Sequence, residues 1–340
     1  MDIIIKSFNR PFYLDRCLAS IYMNVKGSFK ITVLDDGTPE KYILKLQEKY
    51  PEVAFSFSNQ AYKKREAIRE NLENGTPING FEIPTDLWKN AVSNASDFVL
   101  VTEDDVWFTE EIKLEEIISE MKSIGSPLVK LGWLGRTNEK KYCFSESLTQ
   151  NLENSTPKHL FTANKMLMDW FMYNKFKFYT LLYKLGKVDN TTRDHYWSIN
   201  SILMGLFKKE YWLAIWEDAA GKVDEKQQLR NAAAWYHKNP KALFVKTKRE
   251  ILKTTFKSSA TGSYHEYGTN FDVNRFNYIL NEAWLKGEFD CMENYPKDFS
   301  DSYFIQFLEE ENHKKASAKQ WLGWSANFKQ QYANIGAEVN

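Results

Sequence analysis

The sequence predicts an α/β fold: a mostly parallel sheet flanked by helices. Over the first 125 residues, short apolar runs alternate with stretches whose apolar residues recur at helical spacing. Such alternation of strand and helix is typical of a parallel sheet. Two of the predicted strands also end abruptly in adjacent carboxylates. Open α/β sheets bind their ligands at that carboxyl edge, so these strand ends are the first place to look for a site.

The chain has 340 residues, of which 43% are hydrophobic, enough for one large α/β domain with an extension or for two domains. Lysine plus arginine equals aspartate plus glutamate at 45 each, so no net charge favours nucleic acid as a partner. The three cysteines are far apart and lack metal-ligand spacing, which suits a reducing compartment. The chain opens directly on a strand pattern and contains no apolar stretch of membrane-spanning length. We therefore expect a cytoplasmic protein.

The elements of the first half follow one another clearly. A strand over residues 2–6 leads through a loop into a helix, and Pro11 suits the first helical turn because its missing N–H would be unpaired there. A second strand over residues 31–34 ends in the turn Asp35-Asp36-Gly37. Further strands and helices follow, at residues 53–57, 62–72, 85–94 and 98–101.

The last of these strands runs straight into three adjacent carboxylates. With the earlier turn they make five acidic residues at one edge of the sheet, namely Asp35, Asp36, Glu103, Asp104 and Asp105. Mg²⁺ and Mn²⁺ prefer such hard oxygen ligands, and a nucleotide diphosphate needs a cation to offset its charge. Asp and Gly also suit ordinary turns, and acidic residues can simply precede a helix, so a purely structural role remains the alternative.

Three stretches carry a family resemblance: IIIKSFNRPFYLDRCLASI, ITVLDDGTPE and FVLVTEDDVWF. In order, they resemble the nucleotide-binding motifs of family 2 glycosyltransferases, which have the Rossmann-like GT-A fold. The resemblance implies a nucleotide-diphospho-sugar donor and Mn²⁺ or Mg²⁺, the metal being held by Asp105 with Glu103. It implies donor contacts from Ser7, Asn9, Arg10, Asp35, Asp36, Glu103 and Asp104.

Two later stretches supply candidates for a catalytic base. The family places an acidic pair at the start of a helix, and Asp224-Glu225 with Leu229 and Arg230 resembles that pattern. Glu225 is therefore favoured, then Asp224, with Glu217 as a third candidate. A carboxylate in the first helical turn is stabilised as the anion, which keeps it able to accept a proton. Asp224 with Gln227 three residues later fits a capping box equally well.

The remaining segments are less specific. Residues 166–187 combine aromatic residues with lysines, as in an acceptor-binding wall, a membrane-facing helix or a partly buried helix. Basic residues between 246 and 257 could contact donor phosphates, and His265 could add a metal ligand. We expect a GT-A domain over residues 1–265, divided into a nucleotide-binding half (1–125) and an acceptor half (126–265). Residues 266–340 are expected to form a helical C-terminal extension.

The family resemblance thus implies a metal-dependent, inverting, hexosyl-type glycosyltransferase with a saccharide or other hydroxyl acceptor. Surface glycan or polysaccharide synthesis is the expected setting, with peripheral membrane or oligomer contact through residues 166–187 or the C-terminal helices. The first loop lacks the glycine-rich pattern of a sugar nucleotidyltransferase or a dinucleotide-dependent dehydrogenase. The alternative is a non-catalytic nucleotide-sugar-binding or scaffold protein on the same fold.

Overall fold

A computed structural model describes residues 1–136, 138–201, 205–260, 267–334 and 336–339. The strands are β1 (Asp2–Ser7), β2 (Val25–Lys26), β3 (Lys30–Asp35), β4 (Ala54–Phe57), β5 (Phe98–Glu103), β6 (Val106–Phe108), β7 (Ile112–Lys113), β8 (Leu128–Lys130), β9 (Leu152–Asn154), β10 (Gly205–Lys208), β11 (Val245–Thr247) and β12 (Leu252–Thr254). The helices are α1 (Pro11–Asn24), α2 (Glu40–Lys49), α3 (Ala61–Asn74), α4 (Thr85–Ser93), α5 (Leu114–Ile124), α6 (Lys165–Tyr173), α7 (Phe178–Lys184), α8 (Lys209–Ile215), α9 (Glu225–Lys238), α10 (Val273–Lys286), α11 (Asp301–Glu311) and α12 (Ala318–Ala333).

Eight of the strands form one mostly parallel sheet flanked by helices, in the order β4-β3-β1-β5-β10-β8-β11-β9. The α/β fold predicted from the sequence is thereby confirmed. Two strands depart from the parallel pattern: β10 runs antiparallel to both β5 and β8, and β9 runs antiparallel to β11. The pairs β12-β6 and β2-β7 form separate two-stranded sheets.

The chain divides into two compact units that are interleaved along the sequence. The first unit comprises residues 1–3, 85–101 and 113–250, and the second comprises residues 4–84, 102–112 and 251–340. These boundaries differ from the expected 1–265 and 266–340. The C-terminal helices belong to the same unit as the first loop and α1, instead of forming an appendage of their own.

Helix α1 lies at the centre of the second unit. Its Phe12 is fully buried and makes T-shaped, edge-to-face contacts with Phe289 and Phe304, at ring-centroid distances of 5.3 and 6.3 Å. Arg16, also fully buried, donates to the carbonyl oxygens of Cys291 at 3.1 Å and of Glu293 at 3.0 Å. Because burying a guanidinium without hydrogen bonds is costly, these contacts with carbonyl groups fix the C-terminal segment against α1.

The first unit has its own core around α8 and α9. Tyr211 of α8 packs against Trp235 of α9 with ring centroids 4.6 Å apart, and Asn231 donates to the carbonyl oxygen of Ile215 at 3.1 Å. Residues 166–187, considered above as one helix, are divided in the structure. Helix α6 ends at Tyr173 and is followed by Asn174, which has a left-handed backbone (φ 51°), and α7 begins only at Phe178. None of the helices in the described ranges has the length and apolar character needed to cross a bilayer.

Candidate functional site

The two acidic turns lie on either side of the same strand end. Strand β1 lies between β3 and β5 in the sheet. The backbone N–H of Asp36 donates to the carbonyl oxygen of Ser7 at 3.0 Å, and the N–H of Asp104 donates to that of Lys6 at 2.9 Å. The turns that follow β3 and β5 therefore meet at the carboxyl end of β1, as the sequence predicts. All of these residues belong to the second unit.

Asp35 and Asp36 have different environments although they are neighbours in sequence. Asp35 is fully buried and accepts hydrogen bonds from the backbone N–H groups of Gly37 at 3.0 Å and Thr38 at 2.9 Å. Burial raises its pKa, and these hydrogen bonds oppose that effect. The Asp36 side chain is 14% exposed and forms an ion pair with Lys64. Asp35 thus holds the turn in shape, whereas Asp36 is the more exposed of the two carboxylates.

The same division occurs in the second acidic turn. Asp104 is 1% exposed and accepts hydrogen bonds from the hydroxyl of Ser7 at 3.2 Å and the backbone N–H of Phe8 at 2.9 Å. Glu103 and Asp105 remain partly exposed, at 26% and 14%. Asp104 therefore secures the loop that follows β1, while Glu103 and Asp105 lie at the rim of the site.

Each acidic side chain at the rim has a cationic partner from the same unit. Lys6 contacts Oε1 of Glu103 at 2.6 Å, and Arg10 bridges Asp104 at 2.5 Å and Asp105 at 2.7 Å. Burial raises the pKa of Asp104 to about 7, with Arg10 opposing the rise and Asp105 adding to it. Burial likewise raises the pKa of Asp105. Arg10 thus offsets the negative charge of two adjacent carboxylates, one buried and one partly exposed.

Two residues predicted to touch the donor instead support the loop after β1. Asn9 is 1% exposed with a left-handed backbone (φ 53°), and its N–H donates to the hydroxyl of Thr38 at 2.8 Å. Its amide donates to Oδ1 of Asn274 on α10 at 3.1 Å. Ser7 is engaged by Asp104 as described. In both cases the polar side chain faces the protein interior.

The structure adds two residues that sequence reasoning missed. Lys64 is buried on α3 with its ammonium group beside Asp36 and 5.6 Å from the ring centroid of Phe8. Lys6 was visible as a charge inside an otherwise apolar strand, and that anomaly could have drawn attention to it. Nothing in the sequence pattern points to Lys64, because it lies on a polar helix 28 residues after Asp36.

Gly37 permits the close approach of α3 that brings Lys64 to Asp36. Its φ is +121°, and a Cβ placed there would lie 2.7 Å from Cβ of Lys64 and 3.0 Å from the carbonyl oxygen of Ala61. We predict that Gly37→Ala lowers the free energy of unfolding by about 1–3 kcal/mol, since the strained backbone and the clash add. Urea denaturation measures this. Gly80→Ala is the matched control, because Gly80 also has positive φ (+75°) but open space around it. Equal losses at both positions would contradict the packing role.

The carboxylates of Glu103 and Asp105 at the rim are suitable ligands for a divalent cation that also binds a diphosphate. Lys6 contacts Oε1 of Glu103 and Arg10 contacts Oδ2 of Asp105, so each of these carboxylates uses one oxygen for its ion pair. Across the described residues, no three His, Cys, Asp or Glu side chains are grouped as a protein-only metal site requires. Mg²⁺ is commonly held by one or two carboxylates together with substrate phosphates. The predicted extra ligand, His265, lies outside the described residues.

The candidate bases belong to the first unit. Asp224 caps helix α9: Oδ1 accepts from the N–H of Gln227 at 3.1 Å, and Oδ2 accepts from the hydroxyl of Tyr173 at 2.6 Å. Although burial opposes it, these hydrogen bonds lower the pKa of Asp224. Glu225 as a whole residue is solvent-exposed. Surrounding protein nevertheless desolvates its carboxylate, which raises the pKa of Glu225, and the negative charge of Asp224 adds to that rise. Glu217 is exposed and paired with Lys165 at 2.6 Å.

No protein-family model matches the sequence, and no curated protein does so either. In structure the chain is similar to known glycosyltransferases. One is TarS 1-349 of S. aureus, with 13% identity, a TM-score of 0.41, and coverage of 97% of this chain and 80% of that one. Another is the mannosyltransferase PcManGT from Pyrobaculum calidifontis in complex with GDP-Man and Mn²⁺, with 12% identity, a TM-score of 0.36, and coverage of 99% and 76%.

The galactosyltransferase LgtC in complex with donor and acceptor sugar analogs is a third similar structure. It has 15% identity and a TM-score of 0.31, with coverage of 68% of this chain and 70% of that one. Because these identities and TM-scores are low, the similarities assign no function to the chain. Any functional proposal has to be argued from the chemistry of the site.

Proposed function

We propose that the protein is a glycosyltransferase that takes a sugar from a nucleotide-diphospho-sugar, with a divalent cation, and transfers it to an acceptor hydroxyl. The observation that carries the proposal is the meeting of two acidic turns at the end of β1, with Asp36 and Asp105 as their partly exposed aspartates. Two separated carboxylates at the ligand-binding edge of an α/β sheet suit a ligand with a polar nucleoside at one end and a charged diphosphate at the other.

The roles of the rim residues follow from their exposure and charge. Asp36 accepts hydrogen bonds from the nucleoside, and Lys64 fixes the orientation of that carboxylate. Glu103 and Asp105 hold the cation, which would offset the charge of the departing diphosphate. Arg10 and Lys6 orient these two carboxylates and add positive charge at the same rim. In this assignment Ser7, Asn9, Asp35 and Asp104 shape the loops.

Glu225 is the proposed general base. It removes the proton from the acceptor hydroxyl as that oxygen forms a bond to the anomeric carbon, and the bond from that carbon to the diphosphate breaks. A single displacement of this kind inverts the anomeric configuration. Asp224 is less suited because Tyr173 and the helix N-terminus already occupy its oxygens, and Glu217 is paired with Lys165. A hexosyl donor and a role in surface glycan or polysaccharide synthesis complete the proposal, on the strength of the motif resemblance.

Thermal stability in the presence of a panel of UDP-, GDP- and dTDP-sugars tests the proposal. We expect one class of nucleotide sugar to raise Tm in the presence of Mn²⁺ or Mg²⁺, because a ligand that binds only the folded state stabilises it. Chelation with EDTA, or the Asp36→Asn substitution, should remove most of this rise. Glu66→Gln, at a partly exposed carboxylate on α3, is the matched control and should leave it unchanged.

The outcomes of the panel separate the alternatives. A rise in Tm for no nucleotide sugar, with or without metal, would reject the proposal. Metal-dependent binding without consumption of the donor, tested against water and a set of glycan acceptors, would instead indicate a nucleotide-sugar-binding protein without transferase activity.

A further inference from the structure

An exposed apolar and basic surface is formed by residues 165–188, here called the α6–α7 hairpin. Five large hydrophobic side chains of this segment are exposed: Met166 at 58%, Phe176 at 87%, Leu181 at 55%, Tyr183 at 48% and Leu185 at 62%. Of the thirteen exposed large hydrophobic residues in the described chain, these five fall within twenty consecutive positions. Single exposed hydrophobic residues need no explanation, but a cluster of this kind marks a contact surface.

The hairpin is held in place by packing, so its exposed residues are presented by an ordered element. The guanidinium of Arg193 lies 3.8 Å from the ring centroid of Tyr179 and donates to the carbonyl oxygen of Phe171 at 2.5 Å, which ties α7 to α6. Trp170 makes an edge-to-face contact with the ring of Phe176, with the ring centroids 5.8 Å apart. Phe176 itself has a left-handed backbone (φ 54°), unusual for a bulky residue, that holds it at the tip of the turn.

The charge of the hairpin is strongly one-sided. Residues 174–188 contain four lysines and no aspartate or glutamate. These lysines are Lys175, Lys177, Lys184 and Lys187, and all four are exposed. Asp169, the acidic residue of α6, is paired with Arg230 of α9 at 2.9 Å and lies 3.9 Å from the ammonium group of Lys175. The other three lysines thus leave positive charge among the exposed apolar side chains.

We infer that the α6–α7 hairpin docks the protein onto an anionic phospholipid surface. Stable binding to a membrane surface needs two contributions together, burial of apolar side chains and attraction of lysines to anionic lipids. A few apolar groups or a few charges alone do not suffice. A protein partner of similar affinity would need carboxylates matched to each lysine, whereas an anionic bilayer supplies negative charge wherever a lysine falls. Helices of nine and seven residues lie on such a surface without crossing it. The inference is independent of the proposed transferase activity.

Binding of the full chain to vesicles tests the inference. We expect co-sedimentation with vesicles of phosphatidylcholine and phosphatidylglycerol, weakening as salt is raised, and little binding to phosphatidylcholine alone. The double substitution of Lys177→Ala and Lys184→Ala should lower the partition coefficient by about fivefold for each lysine removed. Lys238→Ala with Lys241→Ala removes two exposed lysines elsewhere in the same unit, and this control should bind like the unmodified protein.

A fluorescent label at the tip of the hairpin reports the apolar contact directly. The three native cysteines are buried, so Phe176→Cys provides a single reactive site for an environment-sensitive dye such as nitrobenzoxadiazole. Its emission should shift to the blue on anionic vesicles only. Tyr62→Cys, which places the dye at a position 73% exposed in the other unit, should show no shift. Circular dichroism of each labelled protein confirms that it is folded.

Several results would overturn the inference. These are absence of vesicle binding by the unmodified protein, equal binding to neutral and anionic vesicles, and unchanged binding of the Lys177/Lys184 variant. A blue shift at residue 176 that appears without lipid and grows with protein concentration would assign the surface to contact between copies of this chain instead.

Discussion

Replacing Asp105 by asparagine is expected to lower kcat/KM for sugar transfer on the order of a hundredfold or more. The substitution keeps the size and shape of the side chain but removes the negative charge that the proposed cation needs. The concentration of Mn²⁺ or Mg²⁺ giving half-maximal rate should rise at the same time, and a metal titration of the transfer rate measures both changes. Arg10 retains its contact with Asp104, so the fold should persist.

The control for this experiment is Glu111→Gln, which neutralises a carboxylate 60% exposed in the same unit. It should change neither the rate nor the metal requirement. If the Asp105→Asn protein transfers sugar at the unmodified rate with the same metal dependence, then Asp105 does not hold a catalytic cation. The proposal that Glu103 and Asp105 bind the metal would then be rejected.

Replacing Glu225 by glutamine is expected to reduce kcat by about 10²- to 10⁴-fold, which is the usual contribution of a positioned general base. Donor affinity should be nearly unchanged, because the donor is assigned to residues of the second unit. Steady-state kinetics, with the donor and acceptor varied separately, distinguishes this result from a general loss of binding. A loss confined to KM for the donor would contradict the role of base.

The pH dependence of kcat adds an independent check on Glu225. A general base works only when deprotonated, so the rate should rise with pH as Glu225 ionises, above the ordinary glutamate range because its pKa is raised. Asp224 contributes to that raised pKa through its negative charge. Asp224→Asn should therefore move the acid limb of the profile to lower pH. A limb that stays in place would mean that another group controls it.

The sequence was informative about the strands and turns because their signals are local. The apolar run over residues 2–6 and the turn Asp35-Asp36-Gly37 depend on neighbouring residues only, and both lie in the structure where they were predicted. Which of two adjacent carboxylates faces the interior was not predictable. That choice depends on Lys64 and Arg10, which reach the turns from other parts of the fold.

The second half of the chain shows more strongly what local sequence patterns cannot predict. A strand pattern in a sequence carries no information about the direction of the strand, so the antiparallel insertion of β10 between β5 and β8 was not predicted. The division of residues 166–187 was also missed, because Asn174, Phe176 and Lys177 all adopt left-handed backbones without a glycine to signal it. The contacts of Arg16 with residues 291 and 293 join segments far apart in sequence, which no local pattern predicts.

Those contacts of Arg16 bear on how the protein is made. Arg16 and the carbonyl groups of Cys291 and Glu293 to which it donates are 275 and 277 residues apart in sequence. During synthesis, the charged group and several aromatic rings of α1 stay uncovered until residues 291 and 293 have left the ribosome. Folding of this unit is consequently dominated by distant contacts, which favours slow folding and a need for protection of the nascent chain.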